Sequence, residues 1–360
     1  MSKQLTLAAV IDDLIAQKQL PNEAPAEIAK TLNVSLEQAS TPWFVSALIA
    51  VSAWLSVIPF LAFIALSHLV EEPISAIIVG LILLIGTVIL HNSKGHILFL
   101  DQLALALNLT GQVMLIVGIA GESKNVVTVC LAILFMEMLL IKIYSDHILR
   151  FLSVLIATAA VLVLIYDLKL YLGIHILIFL IAIGAIWYWI AEASHLTDKV
   201  MASLHQPLAY AFIIALQIIL VPSSILPNSQ LISPVTWWYS SFSLTVLLLA
   251  LEYYILRSNN ITFSMKTYII FAGTLLVGLL LYQSPGIIAS IIVLILGFQR
   301  GNRVLIGLAI FFLNIFLISY YYYLDITLLM KSISLMSAGL VLLGLRFILK
   351  WVFPLSEGGQ

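Results

Sequence analysis

From Trp43 to Ile348 the chain alternates long apolar runs with short polar breaks, and before Trp43 it does not. In the first 42 residues the apolar positions Leu7, Ile11, Leu14 and Ile15 recur at helical spacing, until Pro21 and Asn22 interrupt them ahead of a second short helix. Within that second stretch Ser35-Leu36-Glu37-Gln38 reads as a capping box. Residues 1–42 are therefore expected to form a cytoplasmic amphipathic helical hairpin, with no secretory signal at its start. Beyond it lie apolar runs near Trp43 to Leu69, Ile74 to Leu90, Phe99 to Ala120, Val126 to Tyr144, Ile148 to Tyr166, Tyr171 to Ala191, Leu208 to Leu226, Val235 to Leu256, Tyr268 to Leu281, Ile287 to Phe298, Val304 to Tyr323 and Thr327 to Ile348. Most approach the roughly 20 residues that a helix needs to cross a bilayer.

The expected fold is all-α: a polytopic integral membrane helical bundle of about twelve transmembrane helices over residues 43–350, followed by a cytoplasmic tail over 351–360. The tenth run is the shortest. A re-entrant pairing of the ninth and tenth would lower the count and leave both termini on one side of the membrane.

Composition narrows the picture. Of 360 residues, 62% are hydrophobic and 9% charged, where a soluble domain carries about 25% charged residues. So few charges cannot coat a water-facing surface of this size, and a soluble fold is excluded. The net charge of −1 offers no clustered cationic surface for nucleic acid. Ala26 to Ser40 has the outline of a helix-turn-helix, but across the N-terminal segment Lys3, Lys18 and Lys30 are outnumbered by Asp12, Asp13, Glu23, Glu27 and Glu37. The single cysteine, Cys130, falls inside an apolar run and supports neither a disulfide framework nor a Cys-based metal site.

Charge also sets the orientation. With the N-terminus in the cytoplasm, 13 of the 16 basic residues fall on the cytoplasmic side and only Lys124, Lys169 and Lys331 fall outside, a strong positive-inside bias. Both termini are then cytoplasmic, as expected for a multi-pass protein of a bacterial inner membrane. Tyr166, Tyr171 and the run Tyr320 to Tyr323 mark the outer interface.

Polar residues within the spans are the candidate chemistry, because a charge at the bilayer centre costs roughly 2.5–3.5 kcal/mol. Asn108 and Gln112 lie one turn apart in the third span, Gln217 near the middle of the seventh and Asn314 near the middle of the eleventh. Glu137 and Glu252 sit near the cytoplasmic ends of the fourth and eighth spans, each five residues before a basic residue, Lys142 or Arg257. The spacings of 105 residues between Gln112 and Gln217 and 115 between Glu137 and Glu252 raise a repeat of four spans, whose copies would be parallel. The two acids read either as proton or cation sites facing a bundle interior or as interfacial groups that are hydrated or paired with Lys142 and Arg257. The four amides read either as the lining of a polar cavity or as hydrogen-bonding glue between helices.

A second candidate site lies at the outer face, where Lys331 follows Asp325, Tyr322 and Tyr323. This group could receive an anionic head group from the outer leaflet, or Lys331 could snorkel and pair with Asp325. Asp167 and Lys169 beside Tyr166 form a looser version of it. Small residues four apart, as in Ala76 and Gly80 or Thr274 and Gly278, mark close helix contacts. The seven histidines include no pair at metal-ligand spacing on a helix, no phosphate-binding glycine loop or nucleophile elbow appears, and the loops are short. No catalytic residue, metal or cofactor is expected, and the protein is read as not an enzyme.

The segments Thr41 to Leu55, Phe99 to Gln112 and above all Pro285 to Phe347 resemble the bacterial polytopic membrane family catalogued as domain of unknown function 4401. The most specific part is the tyrosine run followed by Leu324-Asp325, Thr327-Leu328-Leu329 and Lys331-Ser332. The resemblance implies an inner-membrane protein encoded beside a related polytopic family, domain of unknown function 2157, and a single-span protein with a GDYxxLxY motif. It implies no activity and gives no residue a role. Two functional readings follow. One is a non-enzymatic component of a membrane protein assembly, contacting the lipid bilayer and those partners. The other is a secondary transporter or lipid-handling protein that uses the intramembrane Glu and amide residues.

Overall fold

A computed structural model describes residues 43–67, 70–92, 98–195, 197–225, 235–259 and 265–323, together with 329, 332 and 336. Among these residues every regular element is an α-helix: α1 (Trp43–Leu66), α2 (Pro73–Asn92), α3 (Leu98–Ser123), α4 (Val126–Ile143), α5 (His147–Asp167), α6 (Leu172–Ile190), a single turn α7 (Glu192–His195), α8 (Lys199–Ile225), α9 (Trp238–Ser258), α10 (Met265–Leu280), α11 (Pro285–Arg300) and α12 (Arg303–Tyr323). Many of these segments are rich in Ile and Val, which favour strands in water. In hydrocarbon a lone segment can satisfy its own backbone only as a helix, and that requirement overrides propensity.

Eight helices, α2 to α6, α8, α9 and α12, are long and apolar enough to cross a membrane. The apolar stretches of α1, α10 and α11 are shorter: Leu48–Ile64, Thr267–Leu280 and Pro285–Arg300. Eleven of the twelve expected runs thus coincide with helices, and eight meet the length of a full span. The twelfth run, Thr327 to Ile348, and the N-terminal hairpin lie outside the described residues. The seventh run differs most, since α8 begins nine residues before Leu208, in the polar stretch holding Ser203, His205 and Gln206. Those residues join the helix because Ser203 and His205 find polar partners on neighbouring elements.

The chain divides into two compact units, Met1–Lys124 and Asn125–Gln360. In the first, α3 packs against both α1 and α2. Its contact with α2 runs backbone to backbone. A Cβ added at Gly80 would lie 2.8 Å from the Gly111 carbonyl oxygen, and one at Gly118 would lie 2.7 Å from the Pro73 carbonyl oxygen. Small residues let the two helices approach this closely, and dispersion between close-packed atoms holds helices together in lipid. On α1 the buried residues Ala53, Val57 and Ile64 form one narrow seam, while Leu48, Val51, Leu55, Ile58 and Phe63 are exposed.

The second unit is built around α8 and α11. α8 packs against α5, α6, α11 and α12, and α11 also meets α9 and α12. From Pro285 to Gly297, α11 is buried almost throughout. At 16 residues it is about 24 Å long, shorter than the roughly 30 Å hydrocarbon thickness, and a protein environment on all sides accommodates the mismatch. Its end is a left-handed cap: Gly301 has φ 61°, and the Asn302 N–H donates to the Gly297 carbonyl at 3.0 Å. Asn302 then caps α12, its Oδ1 accepting from the N–H groups of Val304 and Leu305. α4 and α5 start on side-chain caps from Asn125 and Asp146.

The close α2–α3 contact is testable by paired substitutions. Gly118→Ala should cost about 2 kcal/mol, because its new methyl group meets backbone at Pro73. Gly86→Ala, with nothing within 4 Å of its added Cβ, should be neutral or stabilise by about 0.5 kcal/mol. Thermal unfolding of the detergent-solubilised protein would separate the two, and equal midpoints would contradict the packing described.

Candidate functional site

The six intramembrane polar residues do not converge on one place. In the first unit, Asn108 Nδ2 donates to Thr87 Oγ1 at 2.9 Å and Gln112 Nε2 donates to Asn108 Oδ1 at 2.9 Å. Thr87 Oγ1 donates in turn to the Leu84 carbonyl. All three side chains are buried, and the chain of bonds crosses from α3 to α2 beside the glycine contact. In the second unit the Ser290 hydroxyl of α11 is shared between the Gly286 carbonyl of its own helix, at 2.9 Å, and Gln217 Oε1 of α8, at 3.3 Å, with Ser290 and Gln217 both fully buried. Asn314 is exposed on α12 and donates to the Ile310 carbonyl of its own helix.

The two glutamates differ in their surroundings. Glu252, half-buried on α9, accepts from Thr274 Oγ1 of α10 at 2.6 Å. Glu137 on α4 is fully buried, while Lys142 is exposed, as is Arg257 beyond Glu252. The Ser153 hydroxyl of α5 is near enough to act on the Glu137 carboxyl. The two groups do not reach hydrogen-bond geometry, so both Glu137 oxygens and Ser153 Oγ lack a hydrogen-bond partner among the described residues. Both acids therefore face the helix that follows them in sequence, toward a hydroxyl. Of the outer-face set, Tyr322 is exposed near the end of α12. Asp325, Lys331 and the side chain of Tyr323 lie outside the described residues.

Two polar constellations arise from residues that sequence reasoning did not single out for chemistry. The first is Arg150, near the start of α5 and only 6% exposed. Its Nε donates to the carbonyls of Ile141, at 3.2 Å, and Tyr144, at 3.0 Å, at the C-terminal end of α4. Its Nη1 donates to Ser203 of α8, at 3.1 Å to the carbonyl and 3.2 Å to the hydroxyl. Each acceptor has a reason to need it. The last carbonyls of a helix have no intrahelical donor, and the Ser203 carbonyl is left without one because residue 207, four positions on, is proline.

The second constellation joins α6, α7, α8 and α11. His195 and His205, both buried, place their Nδ1 atoms 3.2 Å apart. Glu192 Oε1 lies 4.0 Å from His205 Nε2, and its Oε2 lies 3.9 Å from Arg300 Nε. Arg300 Nη2 donates to the Ile190 carbonyl at 2.5 Å, at the end of α6. Trp187 and Tyr188 pack their rings on His195, and Tyr188 and Trp189 pack theirs on His205. An Nδ1 to Nδ1 hydrogen bond holds one proton, so one ring donates and the other accepts, which fixes their tautomers relative to each other. Among the described residues no group of three His, Cys, Asp or Glu side chains is arranged to hold a metal ion. The ten-residue spacing of the histidines hid the pair, because they sit on two helices joined by a turn at Thr197 and Asp198.

Eight helices long and apolar enough to cross a membrane, with large apolar side chains turned outward, mark the class as a multi-pass helical membrane protein. The chain belongs to the family described as Domain of unknown function (DUF4401), whose model matches residues 42–352. No curated protein and no solved structure matches it.

The Arg150 geometry predicts a coupled pair. Arg150→Leu should destabilise the protein by about 3 kcal/mol, since it leaves buried carbonyls unsatisfied. In a Pro207→Ala background a backbone N–H returns to the Ser203 carbonyl, and the same change should cost about 1 kcal/mol less. A double-mutant cycle on thermal unfolding in detergent measures this coupling, and strict additivity would count against it.

Proposed function

We propose that this protein is a non-enzymatic component of a membrane protein assembly. The observation that carries the reading is the fate of the buried amides: Asn108, Gln112 and Gln217 are tied into helix pairs. None of the three cavities of about 310–600 Å³ described in the protein is lined by them, by Asn314 or by either glutamate. A transport pathway needs polar groups that open onto a common cavity. Each of these instead reaches a neighbouring helix or the amide beside it, as structural glue does, with Gln112 Oε1 and Gln217 Nε2 alone left without a partner among the described residues. The bilayer assigned is an inner membrane with both termini cytoplasmic, which the bias of basic residues to one side supports. The partners proposed are the related polytopic protein and the single-span GDYxxLxY protein, and no nucleic acid, cofactor or catalytic residue enters this reading.

A second reading, a proton- or cation-coupled transporter or lipid-handling protein, rests on Glu137 alone. A fully buried carboxyl without a hydrogen-bond partner among the described residues is a group that a transported proton or cation would satisfy.

Crosslinking in native membranes, followed by affinity capture and mass spectrometry, tests the assembly. The expected result is a membrane protein recovered at fixed stoichiometry; recovery of this chain alone would overturn the proposal. Glu137 separates the two readings. Under the assembly reading Glu137→Leu leaves partner capture unchanged and stabilises the protein by about 1 kcal/mol, because it removes a buried polar group that has no hydrogen-bond partner among the described residues. Under the transport reading Glu137→Gln abolishes an ion or proton flux measured in proteoliposomes.

A further inference from the structure

Where α5 turns into α6, opposite the end that carries Arg150 on α5, the turn and the start of α9 line a cavity of about 600 Å³. Among the residues that line it, the one charged side chain is positive. Lys169 lines it, is exposed, and forms no ion pair among the described residues, although Asp167 is two positions away. Lys169 also sits where its residue type is a poor fit, at φ 56° in the position after the α5 cap, with the Leu170 N–H donating to the Ile165 carbonyl at 2.9 Å. Glycine or asparagine suits that left-handed position best, and Lys124, after α3, adopts the same conformation at φ 50°.

The N-termini of two long helices contribute as well. Neither α6, after its N-cap Tyr171, nor α9, after its N-cap Trp237, has a side-chain cap, and residues of both first turns line the cavity. Helix N-termini carry partial positive charge, although the Gly173 and Tyr239 N–H groups already donate to the Leu170 and Thr236 carbonyls. Between them stands His175, 7% exposed, its Nδ1 held by Ser240 Oγ at 2.6 Å and its ring packed against Trp237 and Tyr239. The other ring nitrogen has no hydrogen bond to a described residue.

The surroundings add an apolar track. Leu172, Ile176 and Leu180 follow at four-residue steps down α6 from the cavity, each more than half exposed, so they form one outward stripe. An anion site that opens onto an apolar stripe in a membrane protein matches an amphiphile. We propose that this cavity binds an anionic phospholipid, its phosphate held by Lys169 and His175 and an acyl chain laid along Leu172, Ile176 and Leu180.

The test is native mass spectrometry of the full-length protein in detergent, titrated with dioleoyl phosphatidylglycerol and, separately, with dioleoyl phosphatidylcholine. Lys169→Gly removes the charge while fitting the left-handed turn, and Lys169→Asn is a second variant that tolerates it. The expected outcome is preferential retention of phosphatidylglycerol, about fivefold weaker in either variant and restored in Lys169→Arg. Equal binding of the two lipids, or unchanged phosphatidylglycerol binding in both charge-removing variants, would overturn the site. Thermal protection by inorganic phosphate that equals that of phosphatidylglycerol and is lost in the same variants would overturn the lipid assignment and mark a soluble-anion site.

Discussion

Hydrocarbon supplies no hydrogen bonds, so any backbone carbonyl that a helix end or a proline releases must find a donor within the protein. In two places the second unit meets this demand with arginine. Arg150 spans the end of α4 and the carbonyl freed by Pro207 in α8, and Arg300 reaches the last turn of α6. A guanidinium suits the task because it offers several donors in a fixed plane and binds carbonyls without losing its charge. It also places positive charge at helix C-termini, where the macrodipole favours it. The Arg150 contacts satisfy the carbonyl that Pro207 frees where α8 packs against α5, and α8 is one of the two helices around which the unit is built.

The polar residues of the spans follow the same logic. Gln217 and Ser290 meet where α8 and α11 are both fully enclosed, and the Thr87, Asn108 and Gln112 chain accompanies the glycine contact of the first unit. Close backbone approach and side-chain hydrogen bonding occur together because apolar contact alone gives helices no driving force to leave lipid. Glu137 departs from this pattern. It is as enclosed as Gln217, but where Gln217 and Gln112 each leave one polar atom, Nε2 and Oε1, without a partner among the described residues, both Glu137 oxygens lack one. Membership of a family without an assigned activity leaves such groups to be interpreted from their chemistry. That chemistry separates into structural ties within the spans and three polar groups at helix ends: Arg150, the His195–His205 pair and the cavity beside Lys169.

Much of the architecture was legible in the sequence for a direct reason. Lipid filters each segment by its own composition, so the apolar run from Val126 to Tyr144 announces a helix with no knowledge of its neighbours, and the helix Val126–Ile143 coincides with it. Close contacts were readable where they depend on residue size, as at Ala76 and Gly80. Shortness was readable too, and α10 and α11 stand in the place of the two short runs. The start of α8 was not, because its polar first turns are stabilised by partners distant in sequence.

Sequence alone determined the helical membrane class, the family and the identity of the rare polar groups, since each follows from composition or from local order. Tertiary structure decided what those groups do. Whether Gln217 meets Ser290, whether Asn314 turns outward to its own helix, whether two histidines ten residues apart touch and whether Arg150 repairs a proline in a helix 50 residues on are set by which helix faces pack together. In lipid-facing helices nearly uniform in Leu and Ile, the apolar pattern that marks a buried face in water is absent, so the facing of each helix is fixed only by contact with its neighbours.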